Sequence, residues 1–335
     1  MLRPSIRTLG GFGVFALALA ALLFLPHFIS AFRAQQFAYV GIYFIALLGL
    51  NILTGYTGQI SLGHGAFMAI GGYTMAILVA NHGVKDLWTI PLAGLVAGAA
   101  GFLFGIPALR LTGLYLALAT FAVAVAAPSV LKKFEGFTGG SSGLQLFGLP
   151  GLSGSINGMT VFGHHMPFND WLYYLCWSVA VVMFAIAWVL VRGRFGRSLR
   201  AVRDSELAAA SSGVNLALAK TSAFGISAFY SGVAGALFGI ANTFVNPDTF
   251  PIALSIFLLV GIVVGGLGSL WPLVFGAVFI EFMPLWTQYI SKSPGAPSVV
   301  YGVVLIAIML ALPMGAAGLL RRLFWFANSL YRRPT

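Results

Sequence analysis

Long apolar runs, separated by short polar or glycine-rich stretches, dominate the chain. A membrane-crossing helix needs roughly 20 mostly apolar residues. Ten runs approach that length: 11–30, 37–53, 64–80, 88–108, 113–131, 171–191, 217–241, 253–268, 272–290 and 299–318. The eighth is short and passes into Gly265-Gly266-Leu267-Gly268-Ser269-Leu270. Arg3 and Arg7 precede the first run in the manner of a signal peptide. Its length, the Pro26-His27-Phe28 that follows and the polytopic remainder instead make it an uncleaved first span. The pattern predicts an all-α polytopic membrane protein with about ten transmembrane helices.

One interruption is unlike the others. Gly49-Leu50-Asn51-Ile52-Leu53-Thr54-Gly55-Tyr56-Thr57-Gly58-Gln59-Ile60-Ser61-Leu62-Gly63-His64-Gly65-Ala66-Phe67 joins the second and third runs. It is rich in glycine and in uncharged hydrogen-bonding side chains. An irregular segment facing lipid would leave backbone groups unpaired at several kcal/mol each. The stretch therefore sits at a membrane face or inside the protein beside a pathway. A second glycine-rich break, at 265–269, loosely echoes Ser61-Leu62-Gly63 with Ser269-Leu270 nearby. Spans two to five and seven to ten would start from opposite sides, so 36–131 and 217–318 are candidate inverted repeats with broken helices. The whole chain, 1–335, reads as one transmembrane domain.

Composition sharpens this picture. Charged residues make up 7% and the apolar set 59% of the 335 residues, against about 25% charged in soluble domains. A single soluble core is excluded. The 18 Lys and Arg outnumber 7 Asp and Glu, but they lie between apolar runs and form no basic stripe with exposed aromatics, so nucleic acid is not a partner. With the N-terminus inside, 13 of the basic residues fall in inside segments and 5 outside. The positive-inside rule then puts both termini in the cytoplasm. The lone Cys176 lies in an apolar run, where it is a small buried hydrophobe.

Two connecting segments are long. Residues 132–170 form an external loop of turn-forming composition, either a passive connector or a docking surface. His164 and His165 lie there without further ligands at metal-binding spacing. Residues 192–216 lie inside. From Ser198 to Ser211 there is no Gly or Pro, and Leu199, Val202 and Leu207 alternate with charges as in a short amphipathic helix that stops at Gly213. Its charge fits an interfacial helix on anionic lipid as well as a segment that couples to a cytoplasmic subunit.

Catalytic arrangements are missing. There is no Walker A pattern, no H-E-x-x-H and no C-x-x-C. The chain is read as a transport subunit and not an enzyme, binding no cofactor of its own. Glu281 falls near the middle of a span, where an ionisable residue faces the bundle interior or a cavity. It is either a packed acid at a helix contact or the proton site of a stand-alone secondary transporter. The closely spaced glycines, such as Gly94, Gly98, Gly101 and Gly105 or Gly232, Gly235 and Gly239, are read as close helix packing.

Several long motifs occur in order: Gly49-Leu50-Asn51 through Gly65-Ala66-Phe67; Pro107-Ala108-Leu109-Arg110-Leu111-Thr112-Gly113-Leu114-Tyr115-Leu116-Ala117; and Thr138-Gly139-Gly140-Ser141-Ser142-Gly143-Leu144. After them come Gly196-Arg197-Ser198-Leu199-Arg200-Ala201-Val202-Arg203, Asn246-Pro247-Asp248-Thr249-Phe250 and Val264-Gly265-Gly266-Leu267-Gly268-Ser269-Leu270-Trp271. In these the sequence resembles the permeases of branched-chain amino-acid ABC importers, the LivM-type inner-membrane subunit, over nearly its whole length. The resemblance implies a bacterial inner-membrane location. It also implies a second related permease, two cytoplasmic ATPases that carry ATP and Mg, and a periplasmic substrate-binding protein. Residues 197–213 match the family's cytoplasmic loop at Glu206, Ala208, Ala209 and Gly213. The resemblance assigns that loop to ATPase coupling, with Arg197, Arg200 and Arg203 facing or flanking the ATPase cleft.

Together with the second break, the resemblance favours a discontinuous segment lining the pathway within the bundle. Asn51, Thr54, Tyr56, Thr57, Gln59, Ser61 and His64 are its translocation-path candidates. Two departures bear on substrate. Many members carry an acid after the segment matching Ala119-Thr120-Phe121, where Ala122 to Ala127 has none, and an Arg where Pro313-Met314-Gly315 lacks one. The expected function is a solute-import permease for branched-chain or other hydrophobic amino acids, with urea, short amides or another small solute as alternatives.

Overall fold

The computed structural model describes residues 25–111, 113–149, 151–152, 159–161, 164–290, 296–311 and 315–319. The predicted first span lies outside the described residues up to residue 24. Each later span overlaps a helix. These are α1 (Ala31–Asn51), α2 (His64–His82), α3 (Asp86–Ala108), α4 (Leu114–Lys133) and α5 (Phe168–Arg192), then α6 (Arg194–Asp204) and α7 (Glu206–Ser211), followed by α8 (Leu216–Asn242), α9 (Ile252–Gly265), α10 (Leu273–Ile290) and α11 (Ala296–Ala311). Among the described residues, six helical segments are long and apolar enough to cross a membrane: α1 with the turn that follows it, α3, α4, α5, α8, and α9 with its lead-in from Pro247. The chain is thus mostly helical and polytopic.

α8 is the hub. It packs on α1, α2 and α3, and its side chains from Phe224 to Ala241 are mostly buried. Small residues let the backbones approach. A Cβ on Gly101 of α3 would overlap Ala228, one on Gly71 of α2 would overlap Gly232, and one on Gly235 would overlap Met68 O. The glycine spacing read as packing is used that way. Polar side chains then pin helix to helix. Tyr230 OH donates to Met183 O of α5 at 2.9 Å, and Trp177 Nε1 to Phe37 O of α1 at 3.0 Å. Cys176 is buried on α5, as expected of a small hydrophobe.

The helix expected over 198–211 is two helices that begin earlier. α6 starts at Arg194, buries Leu199 and Val202, and ends where Ser205 turns extended. The Ser205 hydroxyl accepts from Ala208 N at 3.3 Å, so a helix N-cap interrupts what the pattern ran together. Leu207, grouped with the inward residues by alternation, is 86% exposed. α7 stops as read: Gly213, at φ +83°, closes it with Gly213 N to Ala210 O and Val214 N to Ala209 O, both 3.0 Å.

At the other end of the bundle, described parts of the 132–170 connection pack onto the core. A one-turn helix (Glu135–Thr138) leads to β1 (Leu144–Gln145). β2 (Met159–Val161) and β3 (His164–Met166) form their own antiparallel pair. β1 pairs antiparallel with β4 (Phe244–Val245), which follows α8. Lys132 Nζ lies 3.0 Å from Asp248 Oδ1 beside them. The motifs 138–144 and 246–250, far apart in sequence, therefore meet in space.

Candidate functional site

The polar stretch begins while α1 is still helical. Its last turn widens into a π-helical segment, Ile52–Tyr56, a form that recurs at functional positions. The chain then runs irregularly from Thr57 to Gly63. Its backbone groups are paired largely from within. Thr54 Oγ1 donates to Gln59 O at 3.0 Å, Thr57 Oγ1 donates to Leu53 O, and Ser61 Oγ accepts from Gly63 N at 3.3 Å. Thr120 Oγ1 of α4 accepts from Leu62 N at 2.9 Å. Those bonds allow irregular backbone inside an apolar bundle.

His64 opens α2 and is 1% exposed. Its Nε2 lies 2.8 Å from Ser227 Oγ, and that hydroxyl donates to Gly49 O at 2.8 Å. A serine has one proton to give, so Nε2–H donates to Ser227 and Nδ1 is left as an acceptor. Nδ1 is buried without a partner among the described residues, and so is Gln59 Oε1. Ser227 lies about 16 Å along α8 from Leu216 at 1.5 Å per residue. The start of α2 is therefore beside the middle of α8 and deep in the bundle. α9 starts there too. Gly65 N donates to Ser255 Oγ, in the first turn of α9, at 2.8 Å.

The second break, 266–272, meets the first near the α6 end. Asn51 is fully buried, and its carboxamide clasps the break: Gly268 N donates to Oδ1 and Nδ2 donates to Ser269 O, both at 2.9 Å. Residues 192–216 close on the same place. Arg203 Nη1 donates to Gly55 O at 2.9 Å. Arg200 Nη2 donates to Val191 O at 3.3 Å, stapling α6 to the end of α5. Lys220, buried at the start of α8, pairs with Glu206 of α7 at 2.7 Å. Between these elements lies a cavity of about 160 Å³, lined among others by Gln59, Leu116, Arg203, Glu206 and Lys220.

The seven path candidates thus gather at one site with different roles. Thr57 and Gln59 line the cavity. Asn51, Thr54 and Ser61 hold the shape of the breaks, Tyr56 is buried at the end of the π-turn, and His64 sits deepest. Of the coupling candidates, Arg197, Glu206, Ala208 and Gly213 are exposed, Ala209 is buried, and Arg200 and Arg203 reach back to backbone carbonyls. Sequence reasoning did not single out Thr120, Lys220, Ser227 or Ser255. Their signal was a hydroxyl or an ammonium inside a span. Glu281 is half-buried on α10, near Tyr39 and Tyr43 of α1. Among the described residues no three metal-ligating side chains converge.

Apolar helices around a paired, interior break define an integral membrane protein. The chain belongs to the family described as branched-chain amino acid transport system / permease component, whose model matches residues 33–309. Its members are transport components rather than enzymes. The high-affinity branched-chain amino acid transport system permease protein LivM of Salmonella typhimurium is 37% identical over 267 residues, covering 74% of this chain and 63% of that protein. The LivM protein of Escherichia coli is 36% identical over the same length and shares. The chain spans about 63% of the length of these curated relatives. No solved structure matches it.

Proposed function

We propose that this chain is the transmembrane permease subunit of an ATP-driven importer for branched-chain or other hydrophobic amino acids, forming half of the translocation pathway. The observation that carries the reading is the deep meeting of two helix starts, Gly65 of α2 with Ser255 of α9. Discontinuous helices that begin near midplane, one in each half, are the mark of a transport site between inverted repeats. On this reading 36–131 and 217–318 are the repeats, in a bundle of about ten crossings. The structural counterpart of the 57–63 break is then 243–251, the lead-in to α9, rather than the 265–269 stretch that resembles it by letter. A zwitterionic solute can pass such helix ends and neutral polar groups without fixed intramembrane charge. Gln59 Oε1 and His64 Nδ1 are buried acceptors with no donor among the described residues, suited to a substrate N–H.

The partners follow from the same reading: a second related permease, two cytoplasmic ATPases that hold ATP and Mg, and a periplasmic binding protein. Residues 192–216 dock the ATPase, supported by Leu207 standing 86% exposed and by the exposure of Arg197 and Ala208. Both termini then lie in the cytoplasm of a bacterium's inner membrane. The test is uptake in vesicles containing the full complex. ATP-dependent accumulation of leucine and not of urea is expected. Uptake of urea instead would move the assignment to small neutral solutes. Proton-driven leucine uptake by the chain alone, abolished by Glu281→Gln, would replace the importer with a secondary transporter.

A further inference from the structure

The docking segment and both breaks meet at one side chain. Arg203 leaves the end of α6 with Nε and Nη2 each 3.2 Å from Asp204 Oδ1, which orients the guanidinium. Its Nη1 reaches Gly55 O at 2.9 Å. Gly55 lies in the π-turn, where carbonyls fall out of the i to i+4 ladder and are open to an outside donor. One turn earlier Asn51 holds Gly268 and Ser269. A Cβ on Gly268 would stand 3.5 Å from Arg203 Nη1, and one on Gly58 3.0 Å from Arg203 Cγ. Contact is thus continuous from α6, through the end of α1, to the second break. The same guanidinium forms one wall of the cavity beside Gln59.

We propose that Arg203 is a positioning residue that ties residues 192–216 to both breaks, so that displacement of the segment is transmitted to the π-turn and opens the path beside Gln59. This rests on the reading of 192–216 as the ATPase-docking segment. Coupling between distant sites needs an element with two arrangements. A π-turn is one, because moving a single residue through the turn restores an α-helix. The tie is a charge-assisted hydrogen bond, about twice as strong as a neutral one. Leu199 and Val202, buried on the same helix, seat α6 on the bundle, so that a displacement of α6 is felt there. Arg203, its side chain 40% exposed, turns Nη1 to the permease, and Arg197 and Leu207 are left for the partner.

Ile60, 43% exposed in the break, reports on it. The full complex is prepared with Ile60→Cys in a Cys176→Ala background, and the rate of labelling by a membrane-impermeant maleimide is measured. Arg203→Ala is expected to raise that rate about tenfold, the change in a local opening equilibrium for loss of one charge-assisted hydrogen bond. Arg194→Ala, which removes a charge from the same helix away from the break, is expected to label at the wild-type rate. Under ATP turnover the rate should change in the wild-type background and not in Arg203→Ala, although hydrolysis continues. Equal labelling of wild type and Arg203→Ala overturns the tie. If Arg203→Ala does not assemble, Arg203→Lys is read instead; it should raise the rate by a smaller factor, and no rise overturns the proposal. A wild-type chain that recruits no ATPase overturns the importer reading, while the Arg203 comparison still decides the tie.

Discussion

Asn51 is a carboxamide with no exposure, and both its hydrogen bonds go to backbone across a sequence separation of over 200 residues. Asn51→Leu removes the partner of Gly268 N–H and of Ser269 C=O together. Leaving such buried groups unpaired costs about 1–3 kcal/mol each. The purified chain in detergent should therefore melt well below wild type. Asn51→Asp, which keeps the acceptor, should lie between the two. Ser227→Ala strands Gly49 O and the His64 Nε2–H in the same way, and a loss of about 1–3 kcal/mol is expected. Unchanged melting of either variant would mean that these bonds contribute nothing net. Both residues show what could be read beforehand. Asn51 was legible as important, because a carboxamide at the end of an apolar run needs a partner. Its role was not, because the partner is backbone from another part of the chain. Ser227, Ser255 and Thr120 are single hydroxyls in apolar spans, and a hydroxyl that satisfies its own helix looks identical in sequence to one that pins another element.

At the scale of elements, the helices were legible because bilayer thickness fixes the length of an apolar run. The small-residue spacing also announced close packing, and α3 against α8 realises it. Gly101→Leu would drive a side chain into Ala228, and Gly235→Leu into the carbonyl of Met68. Backbone cannot yield as a flexible side chain can, so overpacking of about 1–3 kcal/mol or more is expected. Gly83→Ala, where a Cβ would meet none of the described residues within 4 Å, should cost only about 1 kcal/mol through its left-handed φ of +61°. Detergent melting curves of the three variants check the order; a reversed order would show that α8 packs otherwise on α3 and α2. What the pattern hid at this scale was the interruption at Ser205. Alternation treats Leu207 and Leu199 alike, but the serine cap restarts the helix and swings Leu207 outward. The π-turn was equally hidden, since periodicity cannot resolve one extra residue in a turn.

For the whole molecule, the two ends of the bundle are closed by different means. One end uses a backbone ladder, β1 with β4, beside the exposed Lys132–Asp248 pair. Surface pairs of that kind contribute about 0–1 kcal/mol, so the ladder carries the closure. The other end uses charge, with Glu206 of α7 joined to Lys220 at the foot of α8. The side chains are unequal, 47% and 9% exposed. Removing the outer partner leaves the inner ammonium buried and uncompensated, whereas removing both leaves nothing stranded. Glu206→Gln and Lys220→Met should each lower stability, by about 1–2 kcal/mol once screening at the half-exposed Glu206 is allowed for. The double variant should lose less than the sum of the two. On the proposed importer reading, the same cycle read by ATP-linked uptake distinguishes a latch from a brace. If the pair only braces the fold, the double variant recovers uptake along with melting temperature. If it latches residues 192–216 to the bundle at one stage of a transport cycle, melting temperature recovers and uptake does not, because α7 is then free of α8 at every stage. Additive losses in both measurements would show that the two charges act on separate neighbours.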